Sequence, residues 1–389
     1  MINAPASRQF ADLIKRREVV VCVGSGGVGK TTTSAVIALD AALRGRKAIV
    51  LTIDPARRLA NSLGVDKLGN EPRQINLDQF GDQGAQPRGE LWAMMLDMKQ
   101  SFDLLVNRYA PNADTKSKIL KNKLYQYFST SLAGTQEYAA AERLYDIYSS
   151  GEYDVIVLDT PPTSHALDFL EAPNRLIEAI NNRAMQFLYK PSVLGSMGLM
   201  NIGTTYVLKT LSRFTGGELL EELGVFLQAF STLFAGFQER AAKVRELLSS
   251  DASTFVVVSS PTAANIDEAL YFYRKLGAEQ VRVGAFIINR VHPPWVPREE
   301  LNRPASLLAD DLTDALPAHL SAEQRRELAA KLRQNASDFQ VLADLDRESI
   351  DKLKDQLPRA TPLLRVPYFS RDIHSLSGLD HVRRAIFSE

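Results

Sequence analysis

Cysteine is almost missing from this sequence of 389 residues. Its one cysteine, Cys22, can form neither an internal disulfide nor a multi-thiolate metal site. An excess of one charge sign is missing too. Forty-six Lys and Arg face 46 Asp and Glu, so no global field draws the chain to nucleic acid or to an anionic membrane. Long apolar runs are also lacking. The longest uncharged stretch, Pro191 to Leu208, is about as long as the shortest membrane-spanning helices. It is interrupted by Pro191, Gly195, Gly198, Asn201 and Gly203, and reads as a flexible segment. The opening MINAPASRQFADLIKRRE has no apolar core of a signal peptide. Together these absences predict a cytoplasmic protein with no nucleic-acid partner and no stable membrane insertion.

What is present is ordinary globular material, 45% hydrophobic and 24% charged. Five short apolar runs read as buried strands: EVVVCV (18–23), KAIVLTI (47–53), YDVIVLD (153–159), TFVVVSS (254–260) and VGAFIIN (283–289). Unbroken by polar alternation, they suit a parallel sheet covered by helices on both faces. ELWAMMLD (90–97) and PLLRVPY (362–368) are weaker candidates. Helical patterns separate most of the runs, which predicts an α/β sheet with right-handed crossovers.

Residues 99–150 and 174–250 lack strand patterns and read as helical. In the second region Leu223, Phe226, Leu227, Phe230, Leu233, Phe234 and Phe237 fall at helical spacing, continued by Ala241, Val244 and Leu248. Such a stripe serves either as core or, with Met185, Met197 and Met200 upstream, as a groove for an apolar client helix. Residues 321–357 form a charged helical insertion between the last two strands. The expected organisation is one domain over 1–389. Its core is 1–98, 151–173 and 251–389, and its helical subdomain is 99–150 with 174–250.

The chemistry concentrates at GSGGVGKTTT (24–33), which matches G-x-x-x-x-G-K-S/T between a strand and a helix. Gly26, Gly27, Val28 and Gly29 let successive N–H groups turn toward phosphate oxygens. The following helix offers its positive end to the anion. Lys30 reaches the β- and γ-phosphates, and the Thr31 hydroxyl can ligate Mg²⁺. A carboxylate ending a neighbouring apolar strand must complete the magnesium shell. Asp159 meets that need, through a water, and the turn after it is read as phosphate-sensing. Asp54 ends the run KAIVLTI, at the sheet edge where ligands of open α/β folds bind. It either orients the attacking water or caps the helix that begins at Pro55, or does both.

These pieces resemble the arsenite-pump ATPase family, which includes the ATPases that carry tail-anchored membrane proteins and is related to the MinD and ParA proteins. The matching stretches are GSGGVGKTTT (24–33), IDPARRLANSLG (53–64), LDTPPTSHALDFL (158–170), INRVHP (288–293) and VPYF (366–369). Their order covers nearly the whole chain. The resemblance implies a P-loop NTPase with a mostly parallel central sheet flanked by helices, plus a helical subdomain. It assigns Asp54 and Lys30 to catalysis, with Asp54 in the first switch, Thr31 and Asp159 around magnesium, and Thr32 near the α-phosphate. His165 falls in the second switch, or is a helix-start histidine with a structural hydrogen bond. Asn289 reads adenine, or caps a turn at a strand end, with Pro367 and Phe369 near the ring.

The resemblance also implies a dimer that ATP closes and hydrolysis reopens. The sequence departs from the pattern at Ser25, where such families carry a lysine that reaches the partner's nucleotide. A serine cannot do this, which leaves three alternatives: hydrolysis is slow, another cation such as Arg57 or Arg58 substitutes, or the partner is a related ATPase that has the lysine. Those two arginines also read as plain surface helix charges. The zinc-binding C-x-x-C pair of the targeting ATPases is missing, so no zinc is expected. Two functions follow: a Mg·ATP-hydrolysing homodimer or heterodimer with an apolar helical client, and a non-catalytic nucleotide-binding subunit of a heteromeric complex. DNA partitioning is disfavoured by the charge balance.

Overall fold

The computed structural model describes residues 4–53, 58–78, 80, 89–123, 125–126, 129, 135–160, 226, 228–294, 296–297, 299, 320–370 and 372–387, with backbone alone at 98, 135–139, 234 and 237. Eight strands form one sheet: β1 (Val19–Val23), β2 (Lys47–Thr52), β3 (Arg73–Ile75), β4 (Glu90–Met95), β5 (Val155–Asp159), β6 (Ser253–Ser259), β7 (Val283–Val291) and β8 (Leu363–Pro367). Their order is β3-β4-β2-β5-β1-β6-β7-β8. All pairings are parallel except that of β3 with β4. The sequence order of the strands reverses at β1, which lies between β5 and β6, and such a switch point opens a crevice at the carboxyl edge. The fold is thus the expected mostly parallel α/β sheet of a P-loop NTPase.

The apolar runs are continuous because both faces of the sheet are covered. On β1, Val20 and Cys22 join one hydrophobic cluster, and Val19, Val21 and Val23 join the other. The same alternation recurs on β5, where Val155 and Val157 oppose Ile156 and Leu158. One face is packed by α1 (Ala4–Arg16), α2 (Lys30–Leu43) and α10 (Leu376–Phe387). The other is packed by α6 (Thr135–Ser150), α7 (Phe234–Ser249), α8 (Ala263–Ala278) and part of α9 (Ala322–Lys354). The remaining helices are α3 (Arg58–Ser62), α4 (Met98–Tyr109) and α5 (Ala113–Lys121).

Helices α1 and α10 and strand β3 have no counterpart in the sequence reading. Helix α1 buries Ser7, Phe10 and Ile14, an i, i+3, i+7 stripe that the charge around it masks. Phe10 stacks on Phe387 of α10 at 5.5 Å. Strand β3 is a three-residue antiparallel edge, too short to carry a periodic signal.

Helices α4, α6 and α7 are tied by charge. Arg240 reaches Glu142 at 3.0 Å and also bonds Asp146, which Arg108 meets at 2.5 Å. The apolar stripe is core wherever its side chains are described. Phe226, Phe230, Leu233, Ala241, Val244 and Leu248 are all buried, with Phe226 and Phe230 stacked at 5.3 Å. Leu223, Leu227, the three upstream methionines and the stretch 191–208 lie outside the described residues.

Helix α9 begins at a capping box, with Ser321 and Gln324 satisfying each other's backbone N–H. It buries Ala329, Ala343, Ile350 and Leu353, and it exposes Leu332, Phe339, Val341, Leu342 and Leu345. No described helix is long and apolar enough to cross a membrane.

Candidate nucleotide site

The site grows from the junction of β1 and α2. Gly24 has φ +150, and a Cβ there would stand 2.0 Å from the Val258 carbonyl oxygen. A residue with a side chain cannot pass so close to the neighbouring strand. Gly29 is left-handed, with φ +100, and a Cβ on it would meet Asn289 Nδ2 at 2.3 Å. These two glycines set the loop against β6 and β7. Helix α2 starts immediately after, with no side-chain cap. The amide donors of its first turn therefore face the crevice.

Lys30 is buried and donates from Nζ to the carbonyls of Gly24 and Ser25, at 2.8 and 2.7 Å. Its ammonium thus lies across the loop. Thr31 Oγ1 donates to Asp159 Oδ2 at 2.8 Å, and Thr52 Oγ1 donates to the same oxygen at 2.8 Å. Asp159, at the carboxyl end of β5, is almost wholly buried. The parallel register places Thr52 and Cys22 beside it, on the strands to either side. Thr160 follows and donates to the Cys22 carbonyl at 2.7 Å. A hydroxyl and a carboxylate in contact form a hard oxygen donor set of the kind Mg²⁺ prefers.

A cavity of about 600 Å³ opens beside this group. Its wall includes Gly27, Gly29, Lys30, Thr31 and Thr32 from the loop, Asn289 and Arg290 from β7, and Pro367, Tyr368 and Phe369 at the end of β8. Gly26 and Val28 belong to the loop without lining the cavity, and Val28 is buried. Asn289 Nδ2 donates to the Val28 carbonyl at 2.9 Å, while its Oδ1 accepts from Arg290 N at 3.0 Å. The structure therefore gathers eight of the expected side chains and glycines around one cavity, with Asp159 bonded to Thr31. Asp54, Arg57 and His165 lie outside the described residues.

Several lining residues escaped the sequence reading. Arg290 and Tyr368 sit next to residues that were singled out, and Asn61 and Ser62 lie on the helix after Asp54. Tyr368 stacks on His292 at 5.3 Å, and His292 Nδ1 lies 2.8 Å from Asp346 of α9. Neither contact has a local sequence signal, since Asp346 is 54 residues from His292. Arg58, weighed as a substitute cation, does line the cavity.

Ser25 is buried, and its hydroxyl donates to Glu268 Oε2 on α8 at 2.7 Å. The residue is thereby held within its own chain. Cys22 is fully buried in β1, and burial pushes its thiol up to about 12. The thiolate is the form that captures soft ligands, so Cys22 behaves as a small apolar residue.

Comparison with known proteins agrees with this geometry. The profile of the ArsA ATPase family, described as anion-transporting ATPase, matches residues 17–300. The ATPase get3 of Aspergillus terreus is 28% identical over 273 residues, covering 69% of this chain and 71% of its own. The ATPase get3 of Aspergillus niger is likewise 28% identical over the same shares. That of Paracoccidioides lutzii is 27% identical over 69% of this chain and 71% of its own. With most of its length matched and the phosphate loop at the carboxyl edge of a parallel sheet, the chain belongs to the ArsA-type ATPase family.

Proposed function

We propose that this protein is a cytoplasmic, dimeric switch ATPase that binds Mg·ATP in the cavity and couples its turnover to subunit closure. The observation that carries the reading is the meeting of Lys30, Thr31 and Asp159 at the crevice beside β1. Lys30 and the loop amides bind the phosphates, with Thr32 toward the α-phosphate. Thr31, and Asp159 through a water, would hold Mg²⁺, which when bound offsets the charge of the phosphates. Asp54 orients the attacking water and accepts its proton, and the segment with His165 senses the γ-phosphate. Asn289 contacts adenine, with Pro367 and Phe369 beside the ring. Named ATPases among the relatives support turnover.

The client is an apolar helix, as for the targeting ATPases that the sequence resembles. The helical subdomain, 99–150 and 174–250, is the part that the switch moves, and 321–357 is an insertion in the core. The described part of the apolar stripe is buried and serves as core, while 174–225 lies outside the described residues. Arsenite capture is not proposed, since the one cysteine is a buried thiol.

Phosphate release by the purified chain tests the reading. Turnover that needs Mg²⁺, stops with EDTA and falls on Asp54→Asn is the expected result. Turnover unchanged by Asp54→Asn removes that residue from the mechanism. A second reading, a non-catalytic subunit paired with a relative that has the loop lysine, draws on the Ser25–Glu268 bond. It predicts no turnover by the chain alone and turnover with the co-purified relative.

A further inference from the structure

Two non-glycine residues have left-handed backbones among the described residues, Gln280 at φ 59 and Arg290 at φ 62. Gln280 has an ordinary reason. It follows the end of α8, where its N–H bonds the Gly277 carbonyl and the Val281 N–H bonds Leu276, a helix-ending turn. Arg290 has no such reason, because it lies inside β7. There the pairing with β8 runs from Ile288↔Arg365 to Val291↔Pro367, with one residue too many on β7. That is a β-bulge, a device that re-aims a side chain.

The bulge is fixed from the phosphate loop. Asn289 donates to the Val28 carbonyl and accepts from the Arg290 N–H, so one amide bridges the loop and the strained residue. The Arg290 side chain is exposed along the cavity wall. It forms no ion pair or side-chain hydrogen bond with the described residues. A long charged residue in a left-handed strand position is costly, and such outliers persist where the surroundings impose them for function.

We infer that Arg290 is a nucleotide-contacting residue, whose guanidinium the Asn289 bulge aims at the phosphates of the bound nucleotide. It supplies a cation from the β7 side to a site whose loop lacks one at Ser25. A guanidinium forms charge-assisted, forked hydrogen bonds with phosphate oxygens. This inference rests on the ATP-binding reading above.

Calorimetric titration of the full chain with ATP, ADP and adenosine, each with Mg²⁺, tests it. Arg290→Asn keeps a residue that tolerates the left-handed backbone and removes the charge. It is expected to weaken ATP and ADP binding roughly tenfold, the scale of one charge-assisted hydrogen bond, and to leave adenosine unchanged. Arg290→Lys recovers most of the loss. The gap between wild type and Arg290→Asn narrows at high salt. The melting temperature of Arg290→Asn should equal or exceed that of the wild type, because strain is relieved; a packing role would lower it.

Equal ATP affinity in wild type and Arg290→Asn would overturn the inference while leaving ATP binding intact. Equal weakening of ATP and adenosine would overturn the phosphate contact. A wild-type chain that binds no ATP would sink the ATP reading and the inference with it.

Discussion

The loop end of the cavity is a single stretch of chain, Gly27 to Thr32, whereas the far end is assembled from Asn289–Arg290 on β7 and Pro367–Phe369 at the end of β8. At the loop end, every contact that matters is local or one strand away. Lys30 folds onto Gly24 and Ser25, and Thr31 meets the strand-end Asp159. At the far end the wall depends on a bulge, a left-handed arginine and a stacked Tyr368–His292 pair that leans on α9. Phosphate is the same in every nucleotide and can be held by backbone N–H groups in a fixed turn. The proposed base contacts, Asn289, Pro367 and Phe369, are recruited from distant strands, and on our inference Arg290 reaches from that same wall back toward the phosphates.

Substitutions that hit one end but not the other test the contrast. The largest effect is expected at Lys30. Lys30→Ala removes the buried cation and leaves the Gly24 and Ser25 carbonyls without it. Turnover should fall by roughly 100-fold or more, the usual scale for losing a preorganised charge-stabilising group. Adenosine affinity should stay within about twofold, well inside one hydrogen bond's worth. Phosphate-release kinetics and adenosine titration read the two quantities. A comparable loss of both would mean that the ends are not separate.

The difference between the ends also explains what the sequence made legible. The five buried strands show because parallel strands covered on both sides are unbroken apolar runs. The loop shows because its glycines, lysine and threonines are contiguous. Asn289 was reached only by resemblance, and the contact of its amide with Val28 spans 261 residues, which no local pattern encodes. Arg290 was invisible for a further reason: its importance lies in a backbone angle, and arginine carries no propensity for it. Strand β3 was missed because three residues cannot display a period of two. The buried stripe of α7 shows the opposite limit. Helical spacing of Phe and Leu says that a face is apolar, and only packing says what covers it.

An intermediate effect is expected where the ends touch. Gly29→Ala adds a methyl group 2.3 Å from Asn289 Nδ2, at a left-handed position. Asn289 is a side chain and can withdraw, which breaks its bonds to Val28 and Arg290 together. The strain should cost about 1–3 kcal/mol of stability. It should weaken both adenosine and ATP, by roughly tenfold for the lost hydrogen bonds. Urea unfolding and calorimetry measure these. Gly29→Ala with normal adenosine binding would show that Asn289 does not join the ends.

The smallest effect, and the one that bears most on the proposed dimer, concerns Ser25. In this fold residue 25 is not simply short; its hydroxyl is taken by Glu268 of the same subunit. A lysine introduced there is therefore met by a half-buried carboxylate before it can extend toward a partner. Ser25→Lys alone should change turnover by no more than about threefold, since an ion pair formed in cis leaves the partner's nucleotide untouched. Ser25→Lys with Glu268→Gln removes the competing charge. If a cation at this position acts across the interface, the double variant should turn over several-fold faster than either single one. Its specific activity should then rise with protein concentration as dimers form. Glu268→Gln alone should leave turnover near the wild-type value. A single Ser25→Lys variant as fast as the double one would mean that Glu268 does not hold the position. A double variant no faster than wild type at any concentration would mean that this subunit draws its cation from elsewhere, and Arg58 or Arg290 on the cavity wall becomes the residue to remove next.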